Sequence, residues 1–253
     1  MLSRLFQRAA VQPQSMPVHT PAGTVVYAIG DMHGRLDLLT RLRAMIVADA
    51  DTLSATRKVV VYLGDYIDRG PESRGIIDLL IDEPLPEFES VHIKGNHEAS
   101  LQYFLTNPEE STGWFSYGGD ATLYSYGVRP PDPSKPEEMV AAQEAFAEAL
   151  PPKHLDFYRS LKYLHIEGDY AFVHAGVRAH VPIEQQIPED LMWIRDDFLL
   201  SPADFGKVVV HGHSITGLPE VRPNRIGIDT GAYATGTLTC VALEGADRRF
   251  LAT

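Results

Sequence analysis

The stretch TVVYAIGDMHG, Thr24 to Gly34, decides the fold, because an apolar, β-branched run ends abruptly in glycine, aspartate and histidine. Such a run reads as a buried strand, and the glycines flanking Asp31 and His33 permit the sharp turn that follows it. The same pattern recurs along the chain. Lys58 to Leu63 runs into Gly64 and Asp65, and Val91 to Lys94 into Gly95, Asn96, His97 and Glu98. Tyr170 to Val173 leads to His174, Lys207 to Val210 to His211, Gly212 and His213, and Arg225 to Ile228 to Asp229.

Helical periodicity follows the first three runs, over Leu36 to Ala48, Ser73 to Ile81 and Ala99 to Leu105. Strands alternating with helices imply an α/β chain with a largely parallel sheet covered on both faces. In such sheets the polar residues just past the carboxyl ends of the strands gather in one crevice, so the motifs are predicted to converge. From about 106 to 164 the rhythm breaks, as a helical insertion on the same domain would break it. There Ser134 with Glu137 resembles a capping box opening a helix through Leu150, and a second helix is expected from His154 to Leu164. The Met139, Phe146, Leu150 stripe reads as core packing rather than the wall of a cleft.

One domain is expected over 23–253, preceded by an extension over 1–22 that is disordered or loosely docked. The extension carries Arg4 and Arg8 and no acidic residue, which leaves a transit peptide as the alternative. No apolar stretch approaches the ~20 residues needed to span a bilayer. The formal net charge is -12, with 22 Lys and Arg against 34 Asp and Glu. That balance argues against nucleic acid or an anionic membrane as a partner, and an anionic substrate must be drawn by local positive charge. The lone Cys240 cannot form an internal disulfide and reads as a small buried side chain, in keeping with a reducing, cytoplasmic setting.

Each motif is weak alone, since aspartate or asparagine beside glycine is common turn chemistry. Together they place carboxylates, an amide and imidazoles at the ends of five strands, a mixture of donors that suits first-row divalent ions. Gly30 to Gly34, Gly64 to Gly70, Gly95 to Glu98, His174 to Gly176 and Gly212 with His213, in that order, resemble the signature of the phosphoprotein phosphatase family. That family lies within the calcineurin-like metallophosphoesterases. The resemblance spans Val25 to Gly231 and is nearest to bacterial and phage-type serine/threonine phosphatases and symmetrical diadenosine tetraphosphate hydrolases. Trp114 to Gly119 with Thr122, and Ile228 to Ala232, are similar to stretches those relatives share, without separating the two substrates.

The resemblance implies a single-domain αββα sandwich with helices on the outer faces. It implies Asp31 and His33 on one metal ion, Asn96, His174 and His213 on a second, and Asp65 bridging both. Two divalent ions are implied, manganese first, with iron or zinc compatible with the same ligands. A bridging carboxylate suits ions ~3.5 to 4 Å apart, a separation at which both polarise one phosphoryl group. His97 is the expected general acid, oriented by Asp68, and Arg69, Arg195 and Asn96 are expected to bind the substrate phosphate. For Arg195 the plain alternative is a surface ion pair with Asp196 or Asp197. His211, Glu98 and Asp229 are read as supporting residues outside the ligand set.

The implied reaction is direct hydrolysis of phosphoserine or phosphothreonine in proteins, or of a small phosphoester, by hydroxide that the metals supply. Hydrolysis of a dinucleoside polyphosphate is the alternative within the same chemistry. A non-catalytic phosphate-binding scaffold is the alternative outside it, weakened by the presence of every ligand and of His97. No phosphate loop of the Gly-x-x-x-x-Gly-Lys-Ser/Thr kind is present, so nucleotide-driven chemistry has no support.

Overall fold

The computed structural model describes residues 18–253. Ten strands form: β1 (Thr24–Ile29), β2 (Arg57–Tyr62), β3 (Phe88–His92), β4 (His165–Glu167), β5 (Tyr170–Phe172), β6 (Val208–His211), β7 (Glu220–Val221), β8 (Arg225–Gly227), β9 (Thr239–Glu244) and β10 (Asp247–Ala252). The α-helices are α1 (Leu36–Ala50), α2 (Ser73–Asp82), α3 (Asn96–Phe104), α4 (Thr112–Ser116), α5 (Gly119–Ser125), α6 (Pro136–Ala149), α7 (Pro152–Ser160), α8 (Pro188–Trp193), α9 (Asp196–Leu199) and α10 (Ala232–Thr235). Among the described residues no helix is long and apolar enough to cross a membrane.

The strands make two mixed sheets, ordered β10-β9-β1-β2-β3 and β4-β5-β6-β8-β7. In the first, β1, β2 and β3 run parallel and antiparallel β9 and β10 close one edge; in the second, β5, β6 and β8 run parallel between antiparallel β4 and β7. This differs from one parallel sheet with helices on both faces, because each sheet turns one face to the other. The twofold alternation of β1 shows why. Val25, Tyr27 and Ile29 pack among the helices, while Val26 and Ala28 face Phe172, Val210 and Ile226 across the inter-sheet layer. A third cluster, with Leu191 and Phe198, covers the outer face of the second sheet. The αββα arrangement follows. Cys240 is buried in β9, and Met139, Phe146 and Leu150 lie in the core.

Register puts the functional ends level. Ile29 pairs with Tyr62 and Tyr62 with His92, while in the second sheet Phe172 pairs with Val210 and His211 with Gly227. Asp31, Asp65, Asn96, His174, His213 and Asp229 each follow one of those pairs within a few residues, all at the same edge of the sandwich.

The insertion is helical, with corrected boundaries. Helix α6 opens at Pro136, not at Ser134, because the Ser134 hydroxyl is taken by Asp132 Oδ1 at 2.7 Å and a proline is well placed in a first turn. Glu138, not Glu137, reaches back, to the Asp132 N–H at 2.9 Å. Helix α7 stops at Ser160 rather than Leu164. The chain beyond it extends β3 instead, the Lys162 N–H donating to the His92 carbonyl at 2.9 Å and Lys94 N–H to the Lys162 carbonyl at 2.7 Å. Most of the expected extension, including Arg4 and Arg8, lies outside the described residues. Nearer the domain, the His19 N–H donates to Asp169 at 2.9 Å and Thr20 N–H to the Gly245 carbonyl at 3.1 Å.

His92 stacks on Tyr62 at 5.1 Å, its Nε2 is buried without a partner, and burial lowers its pKa from 6.5 to about 4. The unfolded chain therefore takes up this proton first. The stability that neutral His92 contributes is complete above pH 6.5 and is lost as pH falls toward 4, a loss on the order of 3 kcal/mol for a shift of this size. His92→Phe is expected to match or exceed wild-type stability at pH 7 and to flatten the decline between pH 6.5 and 4. Urea titrations across that range would show it.

Candidate metal centre

The site begins as a backbone problem. Side chains leaving the strand ends must turn inward toward one another, and His33, Asp65, Asp68, Arg69 and His213 all adopt positive φ, between 43° and 71°. Non-glycine residues rarely do so, and each costs of order 1 kcal/mol or more that the surroundings must offset. Glu98 supplies much of the restraint. It sits in the first turn of α3, and its buried carboxylate accepts N–H bonds from Gly95 (2.9 Å), Asp65 (3.0 Å) and Tyr66 (2.8 Å). Gly95 itself has no room for a Cβ, which would run into the Asp65 carboxylate, and at Gly212 a Cβ would run into Asp31. Helix α3 starts at Asn96, three residues before its expected start, so Asn96 and His97 project from a helix N-terminus.

Two clusters of possible ligands share Asp65, namely His33, Asp65 and His97, and Asp65, His174 and His213. In the second, Asn96 Oδ1 lies 2.8 Å from His174 Nε2 and 2.9 Å from His213 Nδ1, and the two imidazole nitrogens are 3.1 Å apart. Hydrogen bonds alone do not satisfy this arrangement. His174 Nδ1 faces the Leu63 carbonyl at 2.9 Å, so its proton belongs there and Nε2 presents a lone pair. Asn96 Oδ1 only accepts. At most one proton, on His213 Nδ1, serves three acceptor contacts, and His213 Nε2 is then buried without a partner. Asp65 Oδ1 adds a fourth contact, 3.4 Å from His174 Nε2, and a further acceptor. On the other side, His33 Nδ1 faces the Ile67 carbonyl at 2.8 Å, which leaves its Nε2 lone pair 3.6 Å from Asp65 Oδ2.

Converging lone pairs fit cations, and this oxygen and imidazole mixture fits first-row divalent ions. Burial also keeps the rings in their ligand form. It lowers His33 to about 3 and His213 to about 2, and lowers His174 as well. For Asp65 burial works upward, but the facing histidines, His174 foremost, hold the carboxyl below its usual range. Asp31 lies in the same cleft with both carboxylate oxygens on the His213 N–H, at 3.1 and 3.0 Å. Burial, then the nearby Asp229, raise its pKa, a cost that a bound cation would relieve.

Beside the two clusters stands a carboxylate and imidazole pair. His97 Nδ1 donates to Asp68 Oδ2 at 2.6 Å. Burial works to lower His97, but Asp65 and Asp68 outweigh it and raise the pKa to about 9. Arg69 Nη2 lies 3.5 Å from His97 Nε2, with its guanidinium 4.5 Å above the Tyr233 ring. Arg195 is exposed on the cleft and pairs with neither Asp196 nor Asp197, while Asp197 meets Arg178 instead. The cleft encloses about 530 Å³ and is lined by the residues from Asp31, His33, Asp65, Asn96 and His213 to Arg69, His97 and Arg195. His174 lies beneath it, fully buried. His211 packs on Phe198 away from the cleft.

Sequence reading missed the rim, where Tyr117, Trp193, Ile215 and Tyr233 stand largely exposed around the cleft. Nothing in their spacing marks them, since they come from four separate loops or short helices. It also left Trp114 and Thr122 without a role, although both touch Asp68. Glu98→Ala would strand several buried N–H donors and is expected to destabilise the fold on the order of 3 kcal/mol, with Glu98→Gln losing less. Equilibrium denaturation measures the difference.

Known proteins place this geometry. The sequence model of the family described as calcineurin-like phosphoesterase matches residues 24–239. The chain is 28% identical over 222 residues to serine/threonine-protein phosphatase 2 of Salmonella typhimurium, covering 85% of this chain and 90% of that protein. It is 24% identical over 230 residues to an asymmetrical bis(5'-nucleosyl)-tetraphosphatase of Oceanobacillus iheyensis, covering 83% of this chain and 85% of that one. In fold it is similar to a cold-active protein tyrosine phosphatase, with a TM-score of 0.58 at 16% identity over 92% of this chain and 81% of the other. With its two level rows of strand-end ligands and a match over most of its length, the chain belongs to the calcineurin-like phosphoesterase family, whose members hydrolyse phosphoesters at a dinuclear metal site.

Proposed function

We propose that this protein removes phosphate from phosphoserine and phosphothreonine, in proteins or smaller esters, and that it works in the cytoplasm. The observation that carries the reading is the His97–Asp68 pair beside the two ligand clusters. An alkoxide is a poor leaving group and needs a proton as it departs, whereas a nucleoside phosphate leaves as a stable anion. Among the described residues that line the cleft, only Arg69 and Arg195 offer guanidinium groups, a supply suited to one phosphoryl group rather than a tetraphosphate.

In this reading Asp31 and His33 would hold one divalent ion and Asn96, His174 and His213 the other, with Asp65 shared between them and manganese the first choice. When bound, such ions would neutralise phosphoryl charge and make a water acidic enough to attack at neutral pH. The Asn96 side chain, Arg69 and Arg195 orient the phosphoryl group in line with that attack. His97 protonates the departing oxygen, and Asp68 keeps its ring in the tautomer that can do so. The rival substrate, a dinucleoside tetraphosphate, is favoured by relatives named as bis(5'-nucleosyl)-tetraphosphatases and by the aromatic rim of Tyr117, Trp193 and Tyr233, which could stack on bases.

Rates on a phosphoserine peptide, a phosphotyrosine peptide and diadenosine tetraphosphate, compared with manganese supplied, separate these readings. Phosphoserine is expected to lead in kcat/KM, and a preference of orders of magnitude for the dinucleotide would sink the proposal. His97→Asn is expected to lower kcat on phosphoserine about 10²- to 10⁴-fold, the range of general acid catalysis. His174→Ala should weaken manganese binding, read by calorimetry on chelator-treated protein, by at least ~10-fold.

A further inference from the structure

Asp68 is completely enclosed, and the groups that enclose it are specific. Its Oδ2 accepts from His97 Nδ1 at 2.6 Å and from Trp114 Nε1 at 2.7 Å, and its Oδ1 accepts from Thr122 Oγ1 at 2.5 Å. The Asp68 N–H in turn donates to Thr122 Oγ1 at 2.9 Å and to Ser73 Oγ at 3.0 Å. One threonine hydroxyl thus holds both the backbone and the carboxylate of a residue whose φ is 71°. Trp114 is itself immobilised, with its ring 5.0 Å from Phe104 and capped by Gly119, where a Cβ would meet the indole at 2.5 Å. Trp114 lies on α4 and Thr122 on α5, both in the helical insertion, 46 and 54 residues along the chain from Asp68.

We propose that Trp114 and Thr122 are positioning residues for proton donation. They fix the Asp68 carboxylate so that His97, bonded to it through Nδ1, keeps Nε2–H aimed at the departing oxygen. The inference rests on the reading of His97 as the acid. As the attacking water oxygen bonds to phosphorus and the bond from phosphorus to the leaving oxygen breaks, that bond's electron pair stays on the leaving oxygen, which takes the Nε2 proton, and the imidazolium becomes neutral imidazole with its Nδ1–H still donated to Asp68. The insertion then belongs to the catalytic apparatus and does more than wall the cleft.

Leaving groups supply the test, because p-nitrophenolate departs without a proton while phenolate and the serine alkoxide increasingly require one. Thr122→Val, Thr122→Ser and Trp114→Phe are compared with wild type on p-nitrophenyl phosphate, phenyl phosphate and a phosphoserine peptide. In Thr122→Val and Trp114→Phe the kcat ratio of the poor to the good leaving group is expected to fall ~10-fold, and Thr122→Ser to recover it. Equal losses on every substrate, or no loss, would overturn the proposal. Thr122→Val is nearly isosteric and carries the test if Trp114→Phe loosens the core. A second readout needs no metal: the His97 Nδ1–H proton resonance, assigned by its absence in His97→Asn, is expected to exchange faster with water in Thr122→Val, and an unchanged rate also overturns the idea. Should wild type ignore the phosphoserine peptide, the protein phosphatase reading fails by itself, and the two aryl phosphates still decide the roles of Trp114 and Thr122.

Discussion

Backbone N–H groups from Gly95, Asp65 and Tyr66 converge on one buried carboxylate, that of Glu98, and the geometry of the cleft depends on that convergence. Strands β2 and β3 lie side by side, but nothing in their pairing dictates how the chain turns beyond them. Glu98 ties both turns to a single point. Asp65 is thereby held at a φ of 49°, with its carboxylate in the space that Gly95 leaves open. Burial, then the nearby Asp65, raise the Glu98 pKa to about 8, a cost that the converging N–H donors offset only in part, whereas the same N–H groups without Glu98 would be left unpaired.

Strain is concentrated where chemistry is expected. Among the described residues, seven non-glycine residues have positive φ, and five of them, His33, Asp65, Asp68, Arg69 and His213, line or support the cleft. The two sheets make this possible by locking against each other through Val26, Val59, Phe172 and Val210 just below the strained turns. Rigid strands on both sides let short turns hold conformations that an isolated loop would relax.

The electrostatics invert the character of the whole molecule. A chain with a formal net charge of -12 does not attract anions at long range. At the metal centre, imidazole nitrogens and the Asn96 amide oxygen face one another at hydrogen-bonding distance with too few protons between them, the Asp65 carboxylate lies close by, and Arg69 and Arg195 stand at the margin. Bound cations would satisfy such a cluster, and phosphate recognition would then be a short-range property of what the cluster binds.

Much of this was legible in the chain itself. The β-branched runs marked six strands to within a few residues, because burial between two layers demands that composition wherever it occurs. The polar residues at their ends marked Asp31, Asp65, Asn96, His174 and His213 as one group, because level strand ends must bring their next residues together. The resemblance implied the two-sheet sandwich; what only the folded molecule decided is the order and register of the strands in each sheet, where α6 and α7 begin and stop, and what surrounds Asp68. Trp114 and Thr122 reach that carboxylate from helices 46 and 54 residues along the chain, and the rim of Tyr117, Trp193 and Tyr233 is assembled from separate short helices and the turns beside them. Periodicity records the layer a residue faces, which is a local property. A contact made across layers leaves no period in the chain, so packing alone determines it.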